Sequence, residues 1–136
     1  MLRPKQTKYK KYKKNRIKGT ASKNVSCNFG LYGLKANESG RVTARQLEAT
    51  RVTITRKIKR KGKLWLKVFP SVPVTGKPIE VRMGKGKGAV NYFVAPVKAG
   101  SILYELGGVP REIALQALKA GSNKLPINTR IVSRAR

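Results

Sequence analysis

The apolar positions Ala44, Leu47, Ile54 and Ile58 fall on one stripe when residues 44–61 are turned through about 100° each. That spacing predicts a helix over 44–61 whose stripe faces a core. Thr43 and Gln46 stand at capping-box spacing before it, and Gly62 is a natural stop after it. Ile113, Ala114, Ala117 and Leu118 repeat the helical period downstream. They predict a second helix with Pro110 at its first position, Glu112 at its positive end and Gly121 as its stop.

Elsewhere the period drops to two. Alternation predicts strands at 64–69, 79–83, 90–97, 102–106 and roughly 127–133. Pro70, Pro73 and Pro78 cannot donate to a central ladder, so the segment they bound is an edge strand or a loop. Residues 25–42 place Val25, Phe29, Leu31, Leu34 and Val42 among Gly30, Gly33 and Gly40, which reads as short strands joined by turns. Helices and strands do not alternate regularly. The expected fold class is α+β, a mostly antiparallel or mixed sheet with two helices packed on one face.

Composition changes the picture from fold to partner. The chain of 136 residues is long enough for one domain with a core. Its 32 Lys and Arg against 5 acids give a net charge of +27. The acids are Glu38, Glu48, Glu80, Glu105 and Glu112; Asp and His are absent. Such a chain repels itself when alone, and folding against a polyanion relieves the repulsion. Structured nucleic acid is therefore the leading partner class. An anionic membrane is the rival, but no window approaches the ~20 apolar residues of a spanning helix.

The same inventory disfavours catalysis. Without His, a Ser-His-Asp triad, a Cys-His pair and a His-based metal site cannot be assembled. No two Glu are neighbours in sequence. No enzyme activity, cofactor or metal is expected. Cys27 stands alone, fits a reducing compartment and reads as a small, half-buried apolar residue.

Three groups of residues are candidates for RNA contact. The first is a basic arm over residues 1–24, set before a domain over 25–136. It carries Arg3, Lys5, Lys8, Lys10, Lys11, Lys13, Lys14, Arg16 and Lys18, with Tyr9 and Tyr12 interleaved. Its apolar content is too low to pack by itself, so order along phosphates is expected, with tyrosine faces for stacking. The second group is Arg45, Arg56, Lys59 and Arg60, which share the polar side of the first helix. The wheel puts Arg51 close to the apolar stripe, where its head would snorkel past the core edge or reach a partner.

The third group is the run Arg82-Met83-Gly84-Lys85-Gly86-Lys87-Gly88 between two expected strands. Three glycines in five residues let a neighbouring surface approach the backbone closely. A Walker A loop needs four residues between its glycines, then Lys-Ser/Thr and a helix, none of which is present. The dinucleotide fingerprint fails because its third glycine comes one residue early and no helix follows. Lysines acting as point charges on RNA phosphates fit better.

The run at 81–88 resembles a signature of the bacterial-type large-subunit ribosomal protein sixteen family. Met1-Leu2-Arg3-Pro4-Lys5-Gln6-Thr7-Lys8, Phe29-Gly30-Leu31-Tyr32-Gly33-Leu34-Lys35 and Thr43-Ala44-Arg45-Gln46-Leu47-Glu48-Ala49 are similar to further blocks of that family, in the same order. So are the stretches at 62–70, 103–109 and 124–127, so the resemblance covers nearly the whole chain. Residues 20–27, the Lys-rich arm and the basic C-terminal end with Arg134 and Arg136 depart from it.

The resemblance implies an α+β structural constituent of the large ribosomal subunit. It implies binding to large-subunit rRNA near the peptidyl transferase centre and the aminoacyl-tRNA site, neighbouring ribosomal proteins as partners, and a part in late subunit assembly. In such proteins the arm and the glycine-lysine loop point towards the tRNA. The arginine before the loop, here Arg82, is hydroxylated in some bacterial members, which makes it a candidate modification site. The alternative reading is a free-standing RNA chaperone or assembly factor. No homo-oligomer is expected. The opening Met1-Leu2-Arg3-Pro4-Lys5 lacks the apolar core of a secretory signal and is Arg-poor and Ser-poor for a transit peptide, so it reads as working protein. The excess of Lys over Arg (20 against 12) and the missing Asp point to a mitochondrion, with a plastid or a bacterial cytoplasm as alternatives.

Overall fold

Thr43 is both the last residue of a strand and the cap of a helix. Its side chain accepts the Gln46 N–H at 3.2 Å, and the Gln46 side chain accepts the Thr43 N–H at 2.9 Å. This reciprocal box satisfies two donors at the start of α1 (Ala44–Lys57) and fixes where β2 (Gly40–Thr43) stops. The computed structural model describes residues 1–134. The remaining strands are β1 (Tyr32–Ala36), β3 (Lys63–Leu66), β4 (Val72–Gly76), β5 (Ala89–Val97), β6 (Ile102–Gly107) and β7 (Thr129–Ser133), with α2 (Arg111–Ser122) between the last two.

The fold is α+β. Its strands form two antiparallel sheets rather than one: β3-β6-β1-β7 and β2-β5-β4. The core lies between the helices and both sheets. Leu47, Ile54 and Ile58 of the α1 region meet Leu34, Val42, Ala95, Val97, Leu103 and Leu106 from the strands, and Ala114, Ala117 and Leu118 from α2. The predicted stripe on α1 therefore faces the core, with Ala44 at its half-buried edge. Tyr104 is fully buried and donates its hydroxyl to the Leu47 carbonyl at 2.7 Å, which ties β6 to α1.

α1 ends four residues before Lys61. Lys59 and Arg60 take positive φ (54° and 61°). The Lys59 N–H reaches the Arg56 carbonyl at 3.2 Å, and the Arg60 N–H reaches the Thr55 carbonyl at 3.3 Å. These two bonds form the Schellman closure of a helix, with lysine where glycine is usual. Gly62 serves another purpose: a Cβ there would lie 2.3 Å from the Gly107 carbonyl oxygen. Close approach of two backbones demands that glycine, not the helix stop.

Gly121 likewise lies inside α2, where it is buried. A Cβ on it would come within 2.6 Å of Ile54 Cγ1, so it sets how closely α1 and α2 pack. Pro110 caps α2 rather than occupying its first turn, and Ile113 is exposed. Arg51 is also exposed, where its Nε donates to Glu48 at 3.1 Å instead of crossing the core edge.

The largest departure is at 79–83, which is not a strand. The partner of β5 is β4, the proline-bounded segment, which is an edge strand as expected. Residues 77–88 form one long exposed loop, with Ile79 and Met83 fully open to solvent. Alternation there has no sheet face to bury. The strand predicted at 64–69 ends at Leu66, and the final strand begins at Thr129. Of the two basic residues expected at the end of the chain, Arg134 follows β7 and Arg136 lies outside the described residues.

Candidate nucleic-acid interface

The three-stranded sheet has two unlike faces. Ala95 and Val97 of β5 and Val42 of β2 join the core. Tyr92, Val94, Pro96, Arg41 and Thr43, which alternate with them, line a cleft of about 1160 Å³ on the other side. The arm forms the opposite wall of that cleft, through residues 12–18 and 21–23. Val94 is buried although it is absent from the core cluster, on the face that the arm residues also line.

Specific bonds hold the arm in place. Ala21 N–H donates to the Ala99 carbonyl at 2.9 Å, beside a parallel bridge between Thr20 and Ala99. The Arg41 guanidinium donates to the Asn15 carbonyl. Farther up, residues 1–7 line a second depression of about 950 Å³ with Thr43, Ala44, Arg45 and 90–93, and the Arg3 guanidinium sits over the Phe93 ring at 6.0 Å. Tyr9 and Tyr12 meet edge to face at 6.4 Å, with Lys8 5.7 Å from the Tyr9 ring centre.

The arm and the glycine-lysine loop meet. Lys11 Nζ donates to the Lys87 carbonyl at 3.1 Å, and Lys87 Nζ donates back to the Tyr12 carbonyl. Beyond that junction the loop is bare. Gly84, Lys85 and Gly86 take φ of 102°, 59° and 93°, and a Cβ at Gly84 or Gly86 would meet nothing within 4 Å. Two glycines flanking Lys85 relieve most of the cost of this left-handed run. The Lys77 ammonium donates to the Gly84 carbonyl and folds the loop back on itself. Arg82, Met83, Lys85 and Lys87 are exposed, and Gly88 is half-buried immediately before β5.

The structure thus joins the arm to the loop at Lys11, Tyr12 and Lys87, while Arg3 and Lys5 lie against residues 90–93 and Arg82 to Gly86 stay clear of the arm. It divides the third group. Arg45 stands at the first turn of α1, beside the arm. Arg56 is in the last turn, about 16 Å along the axis, and Lys59 and Arg60 lie past the helix end. All four are exposed. Three cations of the cleft, Lys23, Arg41 and Lys98, were not among the sequence candidates; each stands alone in the sequence, and only the fold brings Arg41 and Lys98 beside the arm.

Of the five acids only Glu80 stands on the exposed loop, two residues before Arg82. Glu48 is engaged with Arg51, and that bond holds its carboxyl below the ordinary range. Glu105 is fully buried. Burial pushes its carboxyl up, but N–H donors from Asn28, Phe29 and Gly30 (2.9, 2.7 and 3.1 Å) with Lys67 nearby hold it below the ordinary range. Burial raises the Cys27 thiol, with a smaller contribution from Glu105. Cys27 is fully rather than half buried. Among the described residues no group of three His, Cys, Asp or Glu could hold a metal ion, and no helix is long and apolar enough to cross a membrane.

Comparison with known proteins gives one consistent answer. The profile of the family described as ribosomal protein L16p/L10e matches residues 4–132. The large ribosomal subunit protein uL16 of Caulobacter vibrioides is 58% identical over 134 residues, covering 98% of this chain and 94% of that one. Its counterpart from Hyphomonas neptunium is 58% identical (98% and 97% covered), and that from Maricaulis maris is 54% identical (98% of each).

Proposed function

This chain belongs to the ribosomal protein L16p/L10e family, and from that membership we propose how it serves the large ribosomal subunit. It is a structural constituent of that subunit and not an enzyme. The domain over 25–136 grips large-subunit rRNA near the peptidyl transferase centre. The arm over 1–24 and the loop at 82–88 extend from it towards the tRNA in the aminoacyl site. Late subunit assembly depends on this docking. Arg82, exposed at the base of the tip, is the position for side-chain hydroxylation.

The observation that carries this reading is the reciprocal bonding of Lys11 and Lys87 to backbone of the loop and of the arm. It gathers like charges from two distant parts of the chain onto one projection, which only a polyanion stabilises. Counterion release from the rRNA supplies much of the affinity, and RNA shape supplies the specificity. For compartment, the excess of Lys over Arg and the absence of Asp support a mitochondrial ribosome; the relatives named above are bacterial.

Sedimentation of the tagged chain through a high-salt gradient tests the reading. It should travel with mature large subunits. Appearance only in precursor particles would replace it with the assembly-factor reading. Organelle fractionation tests the compartment independently.

A further inference from the structure

A third concave site lies at the four-stranded sheet, away from the loop. Trp65 on β3 forms its floor, and Phe29 and Leu31 form one wall. The opposite wall is the bare backbone of Gly62, Gly107 and Gly108. That bareness is structural, since a Cβ on Gly62 would strike the Gly107 carbonyl and one on Gly108 would lie 2.9 Å from Gly62 Cα. The cavity holds about 320 Å³, at the small end of ligand sites.

The side chains around it are unlike a core remnant. Phe29 and Trp65 stack with centroids 6.0 Å apart and planes 21° from parallel. Phe29 is 57% exposed and Leu31 54%. Cations stand over both rings: Lys67 Nζ is 4.1 Å from the Phe29 centroid and Lys63 Nζ is 5.5 Å from that of Trp65. Arg134, whose N–H donates to the Leu31 carbonyl at 2.7 Å, closes the rim. The one nearby acid, Glu105, is buried and committed to the N–H groups of 28–30, so it presents no negative charge to a ligand.

An aromatic floor, a side-chain-free wall and a cationic rim match one chemistry, a flat π-system attached to a phosphate. We propose that this site receives a single unstacked nucleobase of RNA. The base stacks on the Phe29–Trp65 pair, and Lys63 and Arg134 take the adjoining phosphates. Lys67 swings off the Phe29 face as the base arrives, its place over the ring being taken by the base. Specificity for a base, as opposed to backbone alone, arises because stacking needs a π-face and phosphate contact does not. The proposal rests on the RNA-binding reading given above and adds to the arm and loop a separate grip on the other sheet.

Trp65 is the sole tryptophan, so its emission reports this site alone. The full chain would be titrated with a short single-stranded oligoadenylate and with an abasic oligomer of the same length and charge. Binding would be followed in parallel by anisotropy of labelled oligomer. The expected result is quenching by the oligoadenylate and little by the abasic strand, although both bind. Phe29→Leu should raise the half-quenching concentration about tenfold, whereas Phe29→Tyr should preserve it. Equal quenching by the abasic strand, or a Phe29→Leu variant that quenches like the parent, overturns the proposal. Either result leaves sedimentation with large subunits as the separate criterion for the ribosomal reading.

Discussion

The Glu105 carboxylate accepts the Phe29 N–H at 2.7 Å, with Asn28 and Gly30 donating to the same group. A fully buried acid in β6 therefore fixes the backbone from which an exposed aromatic ring projects. Strand and loop are joined here by a charge rather than by apolar packing, and that charge has a measurable signature.

Glu105→Gln keeps the shape and removes the charge. Charge-assisted bonds become neutral ones, and one amide N–H faces donors instead of acceptors. We expect a loss of about 1–3 kcal/mol in urea unfolding, and a larger loss for Glu105→Ala, which leaves three N–H groups unpaired. An unchanged midpoint for Glu105→Gln would show that the acid is not the anchor.

The same group predicts an acid dependence. Its carboxyl lies below the ordinary range when folded, so the folded chain binds fewer protons than the unfolded chain as pH falls through about 4. The contribution is complete at neutral pH, begins to fade below the unfolded value and is gone below the folded one. Unfolding followed from pH 6 down to pH 2 should show this slope in the parent and a reduced slope in Glu105→Gln.

Gly121→Ala should cost about 1–3 kcal/mol despite alanine's better helix propensity. The added methyl would sit 2.6 Å from Ile54 Cγ1 and 3.2 Å from Thr50 Cγ2, forcing α1 and α2 apart. Thermal unfolding of Gly121→Ala, Ile54→Ala and the double variant checks the cause: Ile54→Ala removes both Cγ1 and Cδ1, so the double variant should lose less than the sum of the two single losses.

Lys59→Gly should do the reverse. Lys59 closes α1 at φ 54°, a conformation that glycine adopts without the side-chain penalty. A gain of about 1 kcal/mol in unfolding is expected. RNA affinity should weaken slightly through the lost charge, so the two readouts move in opposite directions.

Replacing Lys85 and Lys87 together with Ala should impair aminoacyl-tRNA accommodation in assembled ribosomes more than it impairs subunit assembly. The tip projects these charges from a loop that contributes nothing to the core. Normal accommodation rates with the double variant would withdraw the role assigned to the tip.

Much of the fold was legible because several residues each serve one rule. Thr43 and Gln46 cap as their spacing says, and Leu47 and Ile54 face inward as their period says. Three signals pointed elsewhere. Gly62 and Gly121 look like helix stops in a sequence, but each is glycine because another chain segment comes too close for a Cβ. The alternation of Ile79, Val81 and Met83 has the period of a strand without a sheet face to lie on, since β4 already fills the place beside β5. For the interface, charge and glycine content marked the arm and the tip, whereas their hydrogen-bonded meeting depends on contacts across 76 residues. Phe29 read as one more apolar residue among glycines; its exposure follows from the Glu105 anchor, which no local pattern discloses.

β5 passes from exposed Ala89 beside the tip to buried Val97 in the core, pairing with β4 along its outer part and with β2 along its inner part. Its nine residues span about 30 Å. It therefore acts as a ruler: the height of the tip above the domain is a count of residues. Removing two residues from both β4 and β5 would retract the tip by about 7 Å with every side chain still on its own face, whereas removing one would exchange the arm-facing and core-facing sets. Away from the register shift between Val74 and Thr75, where Asn91 is an extra residue in β5, length can be altered only in steps of two, so the reach of the probe is quantised by the pleat.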